Sequence, residues 1–307
     1  MVDRILVGVD GSEGSRRALR WAMGEAVARR TLLQPVTVWQ SPYDLGEMLY
    51  LPVDEEAIAT DAKLRLDGAI AEAAGTDPAP DVDPLVLHGD PAQVLCESSA
   101  DAALLVVGSR GRSGLAGVML GSVSTKCAHH SRCPLVIVPH GDREDENRAL
   151  GQVTRILVGV DGSEGSRRAL RWAIEEAAVR GASVDAVAVW QDPYRGDMTF
   201  EYEIPYLRRD RRATLEHVDG KLAEAVAEVV GHDPVVEVDP LVVEGDPAET
   251  LCERSAGADL LVVGSRGHGG FARLMLGSVS SACAHRSRCP IAIVPADGRE
   301  HQARTDR

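Results

Sequence analysis

The sequence predicts an α/β protein built from two tandem domains, each a doubly wound, parallel five-stranded sheet. The first observation is an internal repeat: "RILVGVDGSEGSRRALRWA" occurs at residues 4–22 and again, letter for letter, at residues 155–173. The second is that short runs of Val, Leu and Ile alternate with longer segments of helical periodicity. Continuous apolar strands of this kind are typical of parallel sheets covered by helices on both faces.

The repeat defines the domain organisation. Residues 1–140 form the first predicted domain and residues 154–296 the second. Residues 141–153 are charged and short of apolar side chains, which indicates a solvated linker, and residues 297–307 are expected to form a disordered tail. The second copy carries five extra residues, because the offset between matching segments grows from 151 to 156. They fall between its second and third strands.

The first strand and helix of each copy follow from local signals. "RILVGV" has the length of a strand, and Ser12 or Ser15 is placed to cap the helix "SRRALRWAMGEAVARR". The face of this helix that is predicted to be buried consists of Ala18, Leu19, Ala22 and Ala26.

The remaining elements alternate in the same way. "PVTVW" predicts the second strand and, after an irregular loop, "EEAIATDAKLRLDGAIAEAAG" predicts the second helix. "DPLVLHGD" predicts the third strand, and "PAQVLCESSA" a helix with Pro91 in its first turn. "ALLVVGS", "GSVSTKCAHHS" and "PLVIVP" then predict the fourth strand, fourth helix and fifth strand.

The composition limits the classes of function. The chain has 307 residues, 44% of them hydrophobic and 4% aromatic, which is enough for two domains with sizeable cores. A formal net charge of −14 without a basic patch argues against nucleic acid as a partner. The apolar runs are far shorter than the roughly 20 residues of a membrane-crossing helix, and the N-terminus lacks the zones of a signal peptide. We therefore expect no membrane partner and a cytoplasmic location, where the cysteines stay reduced.

Two strands end in chemically unusual residues. The first strand ends at Asp10, followed by Gly11 and Ser12, and the fourth ends at Gly108. In doubly wound sheets, ligands bind beyond the carboxyl ends of the strands, where the strand order reverses. If the first and fourth strands are neighbours, both ends meet at one crevice, which is where we expect a ligand.

The segment after the fourth strand, "GSRGRSGLAGVMLGSVS", is rich in glycine. Glycine lets the backbone approach a ligand closely, and a helix that begins at Ser122 offers unpaired N–H groups and a positive dipole end to an anion. These features predict a loop that binds phosphate. The alternative is an ordinary strand-to-helix connection in which Ser122 only caps the helix.

The second copy shares only part of this loop. It keeps Gly264, Gly267, Gly277 and Ser278, the positions that a bound phosphate requires. Neither copy has the lysine of a P-loop, and the glycines follow the fourth strand instead of the first, as a Rossmann fingerprint would require. A fast hydrolase is therefore not expected.

Through these residues the sequence resembles the universal stress proteins in their tandem two-domain form. The ATP-binding signature of that family, G-x2-G-x9-G-[ST], is matched by Gly108, Gly111, Gly121 and Ser122, and matched again in the second copy. The resemblance also covers "VGVDGS", "GDPA" and "CPLVIVP", and so nearly the whole of each domain. It implies a Rossmann-like fold of the adenine nucleotide alpha hydrolase type.

The resemblance implies one ATP site in each domain; whether magnesium accompanies the ATP stays open. Asp10 and Asp161 are expected to accept hydrogen bonds from the ribose or adenine side, because a carboxylate suits hydroxyl donors and repels phosphate. The residues expected to wrap the ribose and phosphates are Gly108, Gly111, Gly121, Ser122 and Val123 in the first domain and Gly264, Gly267, Gly277, Ser278 and Val279 in the second. The alternative for Asp10 is a turn or helix-cap carboxylate in "DGS".

The base end of each site is expected at the end of the second strand. Val38 and Val189 are the residues predicted to contact adenine, although apolar strand residues more commonly belong to the core. The family usually has a small apolar residue near the positions of Trp39 and Trp190, where a tryptophan either stacks on adenine or narrows the pocket.

Two other groups of residues have alternative interpretations. Arg110 and Arg266 lie inside the loops and either neutralise phosphate charge or are solvated. "CAHHSRC", at residues 127–133, suggests zinc, but the second copy reads "CAHRSRC", and buried thiols fit better.

Together these features predict an ATP-binding, nucleotide-dependent regulator or sensor of the stress response, without enzymatic activity. One alternative is a slow ATPase or nucleotidyl-transfer enzyme, for which no catalytic constellation is visible; the other is a ligand-free interaction module whose glycine loop is only structural. The short apolar fifth strands would be edge strands, which tend to find partners, and the resemblance implies that they pair the two domains. A homodimer and an unidentified protein partner are further expectations.

Overall fold

The computed structural model of the chain describes residues 4–41, 54–74, 79–111, 120–140, 153–191, 205–230, 236–267 and 276–296, without the side chains of residues 205–211. The predicted tail and all but the last residue of the predicted linker lie outside the described residues. Parts of both glycine-rich loops, residues 112–119 and 268–275, do so as well.

The described part of the first domain alternates strands and helices as predicted. Its elements are β1 (Arg4–Gly8), α1 (Glu13–Arg29), β2 (Leu32–Trp39), α2 (Glu55–Ala73), β3 (Leu85–His88), α3 (Pro91–Ser98), β4 (Leu104–Gly108), α4 (Ser122–His130) and β5 (Leu135–Val138).

The second domain repeats this order. Its elements are β6 (Arg155–Gly159), α5 (Glu164–Arg180), β7 (Ser183–Trp190), α6 (Pro205–Val230), β8 (Val238–Glu244), α7 (Pro247–Arg254), β9 (Leu260–Gly264), α8 (Ser278–Arg286) and β10 (Ile291–Val294). A short 3-10 turn follows α3 at Ser99–Asp101 and α7 at Ser255–Gly257.

The strand order confirms the predicted fold class. The sheet runs β3-β2-β1-β4-β5-β10-β9-β6-β7-β8, and all neighbours within each half are parallel. β1 lies between β2 and β4, so the strand order reverses at the β1–β4 boundary. The carboxyl ends of these two strands therefore meet at one crevice, as the sequence required for a ligand site.

The two domains are joined through their fifth strands. β5 and β10 are antiparallel, with Val136 opposite Ala292, so the two five-stranded sheets form one continuous sheet of ten strands. The pairing of domains that the resemblance implied is thus made within the chain. Neither β5 nor β10 is an edge strand, and both are buried throughout.

The hydrophobic core has two layers, one on each face of the sheet. The first layer packs the sheet against α1, α2, α5 and α6, and the second packs it against α3, α4, α7 and α8. The four residues predicted for the buried face of α1 belong to the first layer, each no more than 1% exposed: Ala18, Leu19, Ala22 and Ala26. Val153, at the end of the predicted linker, is also buried in this layer.

Several predicted boundaries differ from the structure, among them the starts of β2 and α1. β2 begins at Leu32 instead of Pro35, because Leu32 and Leu33 pair with the start of β1. The polar Gln34 concealed this extension; it is buried and donates a hydrogen bond to Asp83 at 2.9 Å. α1 begins at Glu13, and of the two proposed caps it is Ser12 that accepts the N–H of Ser15.

A ring of four charged side chains connects the two domains where α1 meets α5. Arg29 and Arg180 each donate hydrogen bonds to both Glu25 and Glu176. The two glutamate side chains are fully buried and that of Arg180 is 4% exposed, so the ring lies inside the protein.

No helix in the described ranges is both long and apolar enough to cross a membrane.

Candidate functional site

A cavity of about 540 Å³ lies at the crevice between β1 and β4. Its walls come from the ends of β1, β2 and β4, the first turns of α1 and α4, one face of α2, and α3. All seven site residues predicted for the first domain line it: Asp10, Val38, Gly108, Gly111, Gly121, Ser122 and Val123. The fold thus brings together residues that are up to 113 positions apart in the sequence.

Asp10 has an observed role in the local turn. Its Oδ1 accepts hydrogen bonds from the backbone N–H of Ser12 at 2.9 Å and from the Ser12 hydroxyl at 2.6 Å. The loop backbone packs closely against the other carboxylate oxygen, because a Cβ atom at Gly111 would lie 2.6 Å from Oδ2. The exposed carboxylate is therefore fixed at the cavity wall by both the turn and the loop.

Gly108 is required by packing within the protein. A Cβ atom at this position would lie 2.5 Å from the carbonyl carbon of Gly14, at the start of α1. Real Cβ atoms do not approach backbone this closely. The glycine therefore lets the end of β4 meet the first turn of α1.

Gly121 differs because nothing described in the protein requires it. A Cβ atom there would make ordinary contacts, the nearest at 3.5 Å from the Ser109 carbonyl oxygen and the Ser124 hydroxyl. Its φ of −74° is also accessible to any residue. A small residue here keeps the approach to the first turn of α4 open.

The first turn of α4 lacks a side-chain cap. Five of the seven helices whose first turns are described have one, from Ser12, Asp54, Asp90, Ser163 or Asp246. The two exceptions are α4 and α8, which begin after Gly121 and Gly277. The N–H groups at the start of a helix need acceptors and carry its positive dipole end. At α4 this end faces the cavity.

Arg110 and Trp39 also line the cavity. Nε of Arg110 is buried without a hydrogen-bond partner among the described residues. The Trp39 ring packs on His88, with ring centroids 4.4 Å apart and an interplanar angle of 44°. Trp39 is therefore held against the end of β3, on the side of the cavity that β2 forms.

α2 contributes a cavity wall that the sequence analysis missed. Its residues there follow helical spacing: Ile58, Asp61, Ala62, Arg65 and Leu66. Arg65 and Asp61 form an ion pair one turn apart on this face. The spacing of these residues by three and four positions could have indicated from the sequence that they share one face of a helix. That this face covers the crevice is shown only by the fold.

The second domain repeats most of this geometry. The N–H of Ser163 bonds to Oδ1 of Asp161 at 2.9 Å, and a Cβ atom at Gly267 would collide with the Asp161 carboxylate. A Cβ atom at Gly264 would lie 2.7 Å from the backbone of Gly165.

The other predicted residues of the second domain also occupy equivalent places. At Gly277 the nearest atom to an added Cβ would be 3.4 Å away, so this position is nearly as open as Gly121. Ser278 begins α8, whereas Val279 and Val189 pack against the second core layer. Glu244 of β8 takes the place beside Trp190 that His88 has beside Trp39.

The cysteines are buried free thiols, as expected. The described part of the chain contains no group of three or more His, Cys, Asp or Glu side chains that could hold a metal ion. Burial raises the pKa of the Cys133 thiol to about 12, although a hydrogen bond with Ser131 opposes the shift. The equivalent Cys289 has its pKa raised to about 12 for the same reason.

The doubly wound sheet and its crevice define the class of protein: a Rossmann-like α/β fold. Within that class, the chain belongs to the universal stress protein family. The family model matches residues 1–139 and, a second time, residues 152–295. The tandem form that the sequence resembles is thereby confirmed.

Relatives with the same family name extend over both domains. A universal stress protein of Mycobacterium tuberculosis is 34% identical over 300 residues, which cover 94% of this chain and 96% of the relative. One of Mycolicibacterium smegmatis is 35% identical over 297 residues, with the same two coverages. The crystal structure of a universal stress protein from Archaeoglobus fulgidus superposes with a TM-score of 0.66 at 22% identity, covering 96% of this chain and 98% of that one. This last likeness supports the fold.

Proposed function

We propose that each domain binds ATP and that the protein regulates or senses the stress response through its nucleotide-bound state. The observation that carries the proposal is the uncapped first turn of α4 at the wall of a cavity. N–H groups at a helix start bind phosphate well because they are unpaired and lie at the positive end of the dipole. The cavity volume, about 540 Å³, is within the usual range of roughly 300–1,000 Å³ for small-molecule sites.

The glycine at position 121 supports the same assignment. Because no described atom of the protein crowds that position, the missing side chain leaves space for the ligand. Phosphate in this space would be in reach of the N–H groups of Ser122 and Val123, and the buried Nε of Arg110 would supply a cation.

Other residues that line the cavity suit a nucleoside. Asp10 lines the cavity, and a carboxylate there can accept hydrogen bonds from ribose hydroxyls. Val38 and Trp39 offer apolar surface for the base.

The proposal is tested by the nucleotide that the purified protein carries. The protein is denatured directly after purification, and the released nucleotide is identified and counted by chromatography, with and without magnesium in the buffers. We expect ATP close to one molecule per domain. In the Asp10→Ala/Asp161→Ala double variant we expect this nucleotide to be lost.

A matched control is the Asp90→Ala/Asp246→Ala double variant. These two aspartates also bond to a backbone N–H, as caps of α3 and α7, and Asp90 does not line the cavity. The control should retain ATP. Release of ADP in place of ATP would favour the slow ATPase. A wild-type protein that carries no nucleotide and does not bind added ATP in titration calorimetry would rule out the proposed function and favour the ligand-free interaction module.

A further inference from the structure

Two pairs of buried cysteines lie where helices pack on the second face of the sheet. Sγ of Cys96 on α3 is 3.9 Å from Sγ of Cys127 on α4. In the second domain, Cys252 on α7 and Cys283 on α8 are also 3.9 Å apart. All four are free thiols. Both domains thus place two thiols in direct contact across a helix pair.

We propose that Cys96 and Cys127 form a peroxide-oxidisable pair that closes to a disulfide between α3 and α4. The equivalent pair in the second domain, Cys252 and Cys283, has the same distance between its sulfurs and is oxidised more slowly.

The geometry allows closure with small movements. A disulfide needs the sulfurs at about 2.05 Å, so the two thiols must approach by roughly 2 Å, which side-chain rotation and small helix shifts can supply. The two cysteines are 31 positions apart, so the bond would tie together two separate helices.

The chemistry proceeds in two balanced steps with a hydroperoxide as oxidant. The Cys96 thiolate attacks the peroxide; an S–O bond forms, the O–O bond breaks and the remaining fragment leaves as an alcohol or water after taking up a proton. The Cys127 sulfur then attacks the Cys96 sulfenic acid, so that the S–S bond forms, the S–O bond breaks and water leaves with the Cys127 proton. The thiol pair is oxidised by two electrons, and the peroxide is reduced.

Access and ionisation favour Cys96 as the first thiol to react. It is 9% exposed, whereas Cys127 is fully buried. A hydrogen bond with Cys127 lowers the pKa of Cys96 against the effect of burial. In the second domain, burial raises the pKa of Cys252, and this residue is only 4% exposed. The first-domain pair should therefore be oxidised at lower peroxide concentrations.

The disulfide would act close to the cavity. α4 begins at Ser122, which lines the cavity, and Leu95, next to Cys96, lines it as well. Drawing α3 and α4 together would move both walls, so we expect oxidation to change how tightly nucleotide is held. This coupling rests on the proposed function, whereas the disulfide itself does not.

The test is peptide mapping of the folded full-length chain after titration with hydrogen peroxide. Free thiols are blocked with N-ethylmaleimide, the protein is digested, and cross-linked peptides are identified by mass spectrometry. We expect a Cys96–Cys127 cross-link first and a Cys252–Cys283 cross-link at higher peroxide, with the circular dichroism of the folded protein retained.

Variants separate the pair from general oxidation. In Cys127→Ser, which keeps a hydrogen-bond donor, Cys96 should accumulate as a sulfenic acid that dimedone traps, whereas in Cys127→Ala, which removes the donor, it should accumulate more slowly. Cys133→Ser removes a buried thiol of the same domain and should leave the Cys96–Cys127 cross-link unchanged. No cross-link in the folded wild type, a cross-link to Cys133, or cross-linking only after unfolding in urea would each overturn the proposal. Because mapping needs no nucleotide, its result is independent of whether ATP binds.

Discussion

At the scale of single residues, the glycines of the signature have two different physical reasons. Gly108 and Gly264 are needed because another backbone passes where a Cβ atom would be. Gly121 and Gly277 lie in positions where a Cβ atom meets nothing closer than 3.4 Å. The same motif therefore contains residues that maintain the fold and residues that leave space at the first turn of a helix.

We predict that Gly108→Ala mainly lowers stability, whereas Gly121→Ala mainly weakens ATP binding. Overpacking at Gly108 should lower stability by about 1–3 kcal/mol and lower the Tm, as measured by thermal denaturation. Gly121→Ala should cost less stability, since it only makes a poorer N-cap for α4, but it should weaken ATP binding tenfold or more, about 1.4 kcal/mol, in titration calorimetry.

The control for these variants is Gly68→Ala. Gly68 lies inside α2 with nothing within 4 Å of an added Cβ, so this change should leave binding intact and stabilise the helix by up to about 1 kcal/mol. If Gly121→Ala bound ATP as tightly as Gly68→Ala does, phosphate would not occupy the space beside residue 121.

At the scale of elements, the contact between α1 and α5 depends on charge. Each arginine of the ring bridges a glutamate of its own helix and one of the other domain, and each guanidinium lies 5.8 Å from the ring centroid of a tryptophan of the other domain. Burial alone would raise the pKa of Glu25, but the charges of Arg29 and Arg180 outweigh it and lower that pKa. The four charges are therefore satisfied only when the two domains are docked together.

We predict that Glu25→Gln destabilises the protein by about 3–5 kcal/mol at neutral pH, because it leaves a buried arginine without full compensation. Urea denaturation measures this difference against Glu13→Gln, which removes an exposed ion pair with Arg16 and should change stability by less than about 1 kcal/mol. Equal effects of the two changes would show that the ring contributes no more than a surface pair.

The pH dependence of this difference has a defined sign. The folded-state pKa of Glu25 lies below its ordinary value of 4.5. The contribution of the Glu25 charge is therefore lost as the pH falls through the lowered folded-state pKa, whereas Glu176, whose pKa is raised by burial and by Glu25, takes up its proton at a higher pH. The stability gap between wild type and Glu25→Gln should accordingly shrink in acid.

At the scale of the whole molecule, the two domains share one sheet. Its centre is formed by β5 and β10, the strands that would be edges in a single domain, and the outermost strands are β3 and β8. Both central strands are buried throughout, whereas the outermost strands have partly exposed residues. The most protected region should therefore be the junction between the domains.

We predict that amides of Leu135–Val138 and Ile291–Val294 exchange with solvent only through global unfolding. Amides of β3 and β8 should exchange faster through local opening, since those strands have one unpaired side. Hydrogen exchange with mass spectrometry checks this order. Fast exchange in β5 and β10 would mean that the domains separate readily in solution.

The duplication, the alternation of strands and helices, the buried face of α1 and the glycine-rich segment after β4 could all be identified from the sequence alone. These are local properties: apolar periodicity, capping residues and glycine spacing are encoded within a few turns of chain. Periodicity did not find the start of β2, because the buried Gln34, whose Nε2 donates to Asp83, interrupts the apolar pattern.

Which distant segments meet became evident only from the folded chain. It joined the sheets through β5 and β10, placed one face of α2 over the cavity, closed the charge ring between α1 and α5, and set Cys96 against Cys127. The contacts of the ring between the two domains join residues 147 and 155 positions apart, and the thiol pair joins residues 31 positions apart. Such contacts follow from strand order and helix packing, which no local pattern in the chain specifies.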